Sequence, residues 1–267
     1  MTSRHVVVLA LAALLGGCNR SAPNAPPRVP LETTVVAEAL ETLSREAQSV
    51  RRYQGFLRIR GKGPDGGFSG RLVVIFERPG NLRIELLGAF GATRWAAVAS
   101  PSGITVVFPG PSQYVQETDV ADIVGRLLGV RLDAHEVMAL LSGAGVPLEA
   151  LSPAESFRQG ERRVLLTDDG RRLEISDDDQ MALAQTPSYR AVYPTSWKSR
   201  RRQIPDRLEL HTEQITATLT VEAVDVNVSL DAQAFVVDVP ADATRLRPSD
   251  VSGEAVFVAQ PKTVRPR

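Results

Sequence analysis

The chain has 267 residues, 43% of them hydrophobic, with 31 basic against 31 acidic side chains. That length holds one large domain or two small ones with ample apolar content for a core, and zero formal charge excludes the basic footprint of a nucleic-acid binder. One cysteine excludes an intrachain disulfide and any multi-cysteine zinc or iron–sulfur site.

The N-terminus reads as an address. Arg4 gives a short positive start, and Val6 to Leu15 form an apolar run of signal-peptide length, too short to span a bilayer, which takes ~20 apolar residues. Small residues lead to the cysteine: Leu15-Gly16-Gly17-Cys18. This resembles the bacterial lipobox, in which the cysteine sulfur receives a diacylglycerol and signal peptidase II cleaves before it. The resemblance assigns residues 1–17 to a lipoprotein signal peptide and Cys18 to lipid attachment. Two or three acyl chains anchor stably where one would not. Asn19 stands where many inner-membrane-retained lipoproteins carry aspartate, which points to the outer membrane. The proline-rich stretch Ser21 to Pro30 completes a flexible tether over residues 18–31.

The body begins with Glu32 to Gln48, where Val35, Val36, Ala39, Leu40 and Leu43 have helical spacing. The period then becomes two. Tyr53, Gly55, Leu57 and Ile59 share one face, with Phe56, Arg58 and Arg60 on the other. A turn over Gly61 to Gly67 leads to a strand from Phe68 to Glu77. Arg78-Pro79-Gly80-Asn81 turns into a strand from Leu82 to Leu87, and Gly88 to Gly91 breaks the chain. Thr93 to Ala99 and Gly103 to Phe108 read as a hairpin. In mid-chain Val120, Ile123, Val124, Leu127 and Leu128 fall on one helix face ended by Gly129. Asp133 starts a second short helix carrying Val137, Leu140 and Leu141. Alternation resumes at Arg163 to Thr167 and Arg171 to Ser176 around an Asp168-Asp169-Gly170 turn. Leu208 and Leu210 follow, then Ile215, Ala217, Leu219, Val221 and Ala223 alternate with Thr216, Thr218, Thr220 and Glu222. Phe235 to Val239 reads as a last strand, and the residues beyond as a surface tail.

Motifs with chemical overtones resolve to structure. Gly61-Lys62-Gly63-Pro64-Asp65-Gly66 has dinucleotide-loop spacing, but a strand follows where that site needs a helix. Asp177-Asp178-Asp179 lacks the onward ligand spacing of a calcium loop. Lys198, Arg200, Arg201 and Arg202 read as an exposed basic cluster. Only His5, His135 and His211 exist, and no GxSxG, HExxH or phosphate-binding P-loop occurs. The expectation is a protein that is not an enzyme, without cofactor or metal.

The order of elements resembles the LolA/LolB-like outer-membrane lipoprotein-sorting family. The resemblance rests on Phe76-Glu77-Arg78-Pro79-Gly80-Asn81-Leu82-Arg83-Ile84-Glu85, a strand–RP–strand element, and on Leu86-Leu87-Gly88-Ala89-Phe90-Gly91 in the place of an apolar loop. It rests further on the hairpin within Ala99 to Phe108 and on Asp225-Val226-Asn227-Val228-Ser229 through Phe235 and Val239-Pro240. The lipobox aligns it with the lipid-anchored branch or an uncharacterised relative.

That resemblance implies an α+β, mainly antiparallel fold over residues 32–245. It is an incomplete, half-open β-barrel with an N-terminal helix and a helical lid over a hydrophobic cavity, followed by a tail at 246–267. It also implies site roles. Arg78 matches the arginine that latches the lid in the carrier branch, and Leu87 and Phe90 lie where the acceptor branch touches the membrane. Val120, Ile123, Val124, Leu127, Leu128, Val137, Leu140 and Leu141 form the lid and cavity wall. The implied function is non-catalytic binding of the acyl chains of lipoproteins or lipids, in lipoprotein sorting or envelope biogenesis. The implied partners are acylated proteins or lipids, the outer-membrane bilayer and a periplasmic lipoprotein carrier, with the chain a monomer on the periplasmic side. The alternative is an envelope scaffold or stress-sensing interaction module with the same fold and no transport role.

Overall fold

The computed structural model describes residues 26–251, except 65, 150, 195–203 and 232. Cys18, the signal peptide over 1–17, most of the tether and the basic cluster from Lys198 to Arg202 lie outside the described residues, as do residues 252–267 of the expected tail.

Fifteen strands form one open sheet. In chain order the elements begin with β1 (Arg28–Pro30), helix α1 (Thr33–Ser49), β2 (Arg52–Gly63), β3 (Gly66–Glu77) and β4 (Asn81–Leu87). Next come β5 (Thr93–Ser100), β6 (Gly103–Phe108), β7 (Gln113–Glu117), helix α2 (Val120–Leu128) and helix α3 (Ala134–Leu141). The second half holds β8 (Pro153–Gln159), β9 (Arg162–Thr167), β10 (Arg172–Ser176), β11 (Met181–Gln185), β12 (Arg190–Val192), β13 (Arg207–His211), β14 (Thr216–Val226) and β15 (Thr244–Arg245). Across the sheet they run β1-β8-β9-β10-β11-β12-β13-β14-β2-β3-β4-β5-β6-β7-β15, antiparallel throughout save the parallel β15–β7 pair at one edge. The junction of the two halves is β14 on β2, so the first and last long strands of the body meet at the centre.

Period-two alternation decides which face is which. Tyr53, Leu57 and Ile59 on β2, Leu72, Val74 and Phe76 on β3, and Leu82, Ile84 and Leu86 on β4 are buried in one core with the apolar faces of all three helices. From α1 this core takes Val36, Ala39 and Leu43. Their partners along β2, Phe56 and Arg60, are exposed on the opposite face, as a half-covered sheet requires. Helix ends are set by local chemistry. Asp119 accepts from Asp122 N and starts α2, Gly129 in the left-handed region ends it, and Asp133 with Glu136 closes a capping box on α3.

Four expectations need correction. Phe235 to Val239 is not a strand. After Asn227 (φ 57) the chain leaves β14 and passes over the outer face, where Arg83 Nη1 donates to the carbonyls of Ala234 and Val236 at 3.2 and 2.7 Å. Those carbonyls are therefore taken by a guanidinium instead of a strand ladder. Second, the segment after it is not simply a surface tail, because Thr244–Arg245 pairs with β7 and Val251 is buried. Third, the alternation along β14 breaks at a bulge between Val221 and Ala223, which exposes Ala223 and turns Val224 toward the core. At the other end Arg28–Pro30, within the expected tether, pairs with β8 as an edge strand. Strands β7, β8, β11 and β12 carry no clean alternation in sequence and were not expected from it.

Candidate functional site

Between the middle of the sheet and the lid lies an open cavity, whose empty space comes to about 630 Å³ only when the solvent at its mouth is counted in. Its floor comes from alternate residues of five adjacent strands: Leu208 and Leu210 on β13, Ala217 and Leu219 on β14, Leu57 and Ile59 on β2, Leu72 and Val74 on β3, and Ile84 on β4. Its roof is Leu128 at the end of α2, Val130 and Leu132 in the connection, and Val137, Leu140 and Leu141 on α3, with Ile215 at the side. All sixteen lining residues are Leu, Ile, Val or Ala. Such a space offers no charge, nucleophile or hydrogen bond to a guest. It favours aliphatic chains, which gain by leaving water and lose nothing by finding no polar partner.

Of the eight expected lid residues, Leu128, Val137, Leu140 and Leu141 line this cavity. Ile123, Val124 and Leu127 are buried beside it and Val120 packs partly against the same core, without lining it. The strand contributions, read in sequence only as apolar strand faces, turn out to be cavity floor. Sequence marks both by the same alternation, so only the curvature of the sheet separates them. Val130 and Leu132, in the non-helical link, had no periodic signal at all.

Arg78 sits at the end of β3, half-buried between α1 and α3. Its Nε donates to Val50 O at 3.2 Å, and its Nη2 donates to Ala47 O at 3.3 Å and to Ser142 Oγ at 3.1 Å. One side chain thus joins the C-terminal end of α1 to the residue that caps α3. Burial holds the guanidinium below its ordinary value, opposed by the nearby negative charge of Glu149. Ser142, absent from the sequence-based set, in turn donates to Met138 O at 2.7 Å. On its other side α3 is tied to the second half of the sheet: Tyr193 donates to Leu140 O at 2.9 Å and Tyr189 to Gly145 O at 3.0 Å. Burial pushes both hydroxyls up, so both stay protonated donors at neutral pH. Gly145 (φ 79) admits this approach, since a Cβ there would lie 2.5 Å from that of Ala184.

Phe90 is the opposite case. It lies in the short turn of 3-10 helix Ala89–Gly91 between β4 and β5, with φ 63 and ψ 16, and its side chain is completely exposed. A bulky residue in the left-handed region is an outlier. Leu87, at the end of β4, is half-buried.

Among the described residues no cluster of three or more His, Cys, Asp or Glu could hold a metal, and no helix is long and apolar enough to cross a membrane. Asp177 and Asp179, in the turn after β10, are engaged by Arg158 and Arg163.

An open antiparallel half-barrel whose helices roof an aliphatic cavity is thus defined by the geometry. No protein-family model and no curated protein sequence matches the chain. Solved structures do. A LolA superfamily protein from Nitrosomonas europaea superposes with a TM-score of 0.50 at 13% identity, covering 74% of this chain and 97% of that one. A putative outer membrane lipoprotein-sorting protein domain from Vibrio parahaemolyticus gives 0.53 at 7%, covering 74% and 94%. A DUF1329 family protein from Desulfovibrio piger gives 0.54 at 9%, covering 76% and 96%. The chain has the LolA-like fold.

Proposed function

We propose that this chain is a lipid-anchored outer-membrane lipoprotein, facing the periplasm, that takes the acyl chains of lipoproteins or lipids into the cavity without catalysis. The observation that carries the reading is the lining: sixteen aliphatic residues and no polar side chain around an open space. Transfer of each methylene from water to such a surface gains ~0.8 kcal/mol. A 16-carbon chain would gain on the order of 10 kcal/mol gross on that scale, so release needs the roof to move.

The other parts have places in this reading. Arg78 is the latch whose bond to Ser142 holds α3 over the cavity. Phe90, completely exposed on the loop beyond Leu87, is the group that meets the bilayer while an acyl chain passes. Cys18 carries the anchor. The wider setting is lipoprotein sorting or envelope biogenesis, with a periplasmic lipoprotein carrier as a further partner. The fold it shares with a lipoprotein-sorting protein domain supports this setting.

The test is to purify the full chain carrying Cys18→Ala without detergent and extract it for lipid mass spectrometry. Stoichiometric acyl lipid supports the reading. Lipid-free protein that also takes up no added palmitate would replace it with a scaffold whose cavity closes on itself.

A further inference from the structure

Behind the latch, on the side of α3 away from the cavity, lies a second recess. It is lined by Ser44, Ala47 and Gln48 of α1, Arg78, His135 and Ala139 of α3, and the chain from Ala144 to Glu149. Helical spacing explains the division of labour: His135 and Ala139 are one turn apart on one face of α3, while Val137, Leu140 and Leu141 turn to the cavity. One short helix therefore separates an aliphatic site from a polar one.

At this recess stands a cation that no carboxylate of the described residues pairs with, Glu149 acting on it only through its nearby charge. Arg78 is not exposed, yet among the described residues all its hydrogen bonds go to neutral acceptors: two carbonyls and one hydroxyl. Its Nη1 has no acceptor there, and no carboxylate of the described residues lies within ion-pair distance. A guanidinium partly withdrawn from water strongly favours an anionic partner, and its planar fork suits the oxygens of phosphate. The contact between the two helices is slight. Ala47, Ala139 and Ala144 form a small cluster of their own, capped by Leu148, so methyl groups and the Arg78 bonds make up much of what holds α3 to α1 there.

We propose that this recess binds a phosphate oxyanion on Arg78, and that its binding draws the guanidinium away from Ser142 and loosens the lid. The anion takes the free Nη1 first and becomes bidentate only by giving up the Nη2 bond to Ser142. Gln48, Ser44 and His135 are the other polar side chains that line the recess. Glu149, at the rim, opposes the site and keeps it empty until a strong anion arrives. The coupling to ligand release rests on the acyl-binding reading; the anion site itself does not.

The experiment titrates the full chain carrying Cys18→Ala with inorganic phosphate against sodium chloride at matched ionic strength. It follows the Arg78 Nε–H signal by NMR and the exchange of the α3 amides. Phosphate should shift the Arg78 signal saturably and speed α3 exchange about fivefold, the loss of roughly one net hydrogen bond. Chloride should do neither. Glu149→Gln, an exposed change that leaves the fold alone, should tighten phosphate about threefold by removing a nearby like charge. Glycerol 3-phosphate binding tighter than phosphate identifies a lipid headgroup as the source; equal binding identifies free phosphate. Equal responses to phosphate and chloride, or an unchanged affinity in Glu149→Gln, overturn the site. A phosphate response in a chain that binds no palmitate would leave the site standing and remove the acyl-binding reading instead.

Discussion

The cavity and the Phe90 loop both commit apolar side chains to something other than a filled core, and they do so in opposite ways. The cavity hides sixteen aliphatic residues under a lid that two short helices and one arginine hold in place. The loop puts a single aromatic ring wholly in solvent on a left-handed backbone. In the function proposed above, the first would keep an acyl chain and the second would touch the membrane it goes to. The contrast teaches that an apolar residue in this fold gets its role from backbone curvature and φ, neither of which hydrophobicity records.

The sharpest way to break the contrast is to charge the sheltered side. Leu140 is 4% exposed and faces the cavity. Leu140→Asp should lower stability by about 3–5 kcal/mol, the cost of losing a buried aliphatic and burying an unpaired carboxylate, read as a fall in the urea midpoint. Arg78→Ala comes next. It removes the donor to the Val50 carbonyl and leaves the Ala47 carbonyl only its bond from Val50 N, which costs about 1–3 kcal/mol, and it should speed release of a bound fluorescent fatty acid more than Leu-to-Ala changes of equal stability cost do. Phe90→Asp should leave the urea midpoint within about 0.5 kcal/mol of the parent, as for an exposed side chain without partners. Binding to lipid vesicles, by contrast, should weaken about tenfold or more, since inserting a Phe is worth about 1.5–3 kcal/mol. A large loss of stability with normal vesicle binding would show that the ring packs after all.

The smallest effect concerns pH. Burial raises the Glu136 carboxyl above its ordinary value, against the bond it makes to Asp133 N. The folded state thus holds its proton to higher pH than the unfolded chain, so this group's contribution to stability rises as pH falls through the range just above 4.5. Glu136→Gln should flatten that part of the profile while changing stability at neutral pH by less than about 0.5 kcal/mol. Denaturant titrations at several pH values read both.

Much of this architecture is written locally. The helix start at Asp133, the stop at Gly129 and the Asp168-Asp169-Gly170 hairpin all depend on side chains within a few residues, so sequence shows them. The alternation of Leu57 with Arg58 and of Ile84 with Glu85 does the same for the faces. What was not legible depends on distant partners. Phe235 to Val239 alternates like a strand, but Arg83, far away in sequence, takes its carbonyls. The Ala223 face was lost to a bulge, and the short strands β11 and β12, buried or brief, give no period to read. In the candidate site, Arg78 and Phe90 are named through family-like motifs, whereas Ser142 is not, because a serine after a helix has many uses. Its role comes only from the arginine folded back onto it.

The central claim is that the cavity admits an acyl chain, and the direct measurement is binding of a fluorescent fatty acid to the Cys18→Ala chain with palmitate as competitor. A control comes from Ala217→Phe, which fills the floor of the cavity at a residue 1% exposed. The account predicts saturable binding displaced by palmitate in the parent, and about tenfold or more weaker binding in a folded Ala217→Phe chain, whose added ring occupies the guest's space. Equal binding in both chains, or none in either, would contradict it.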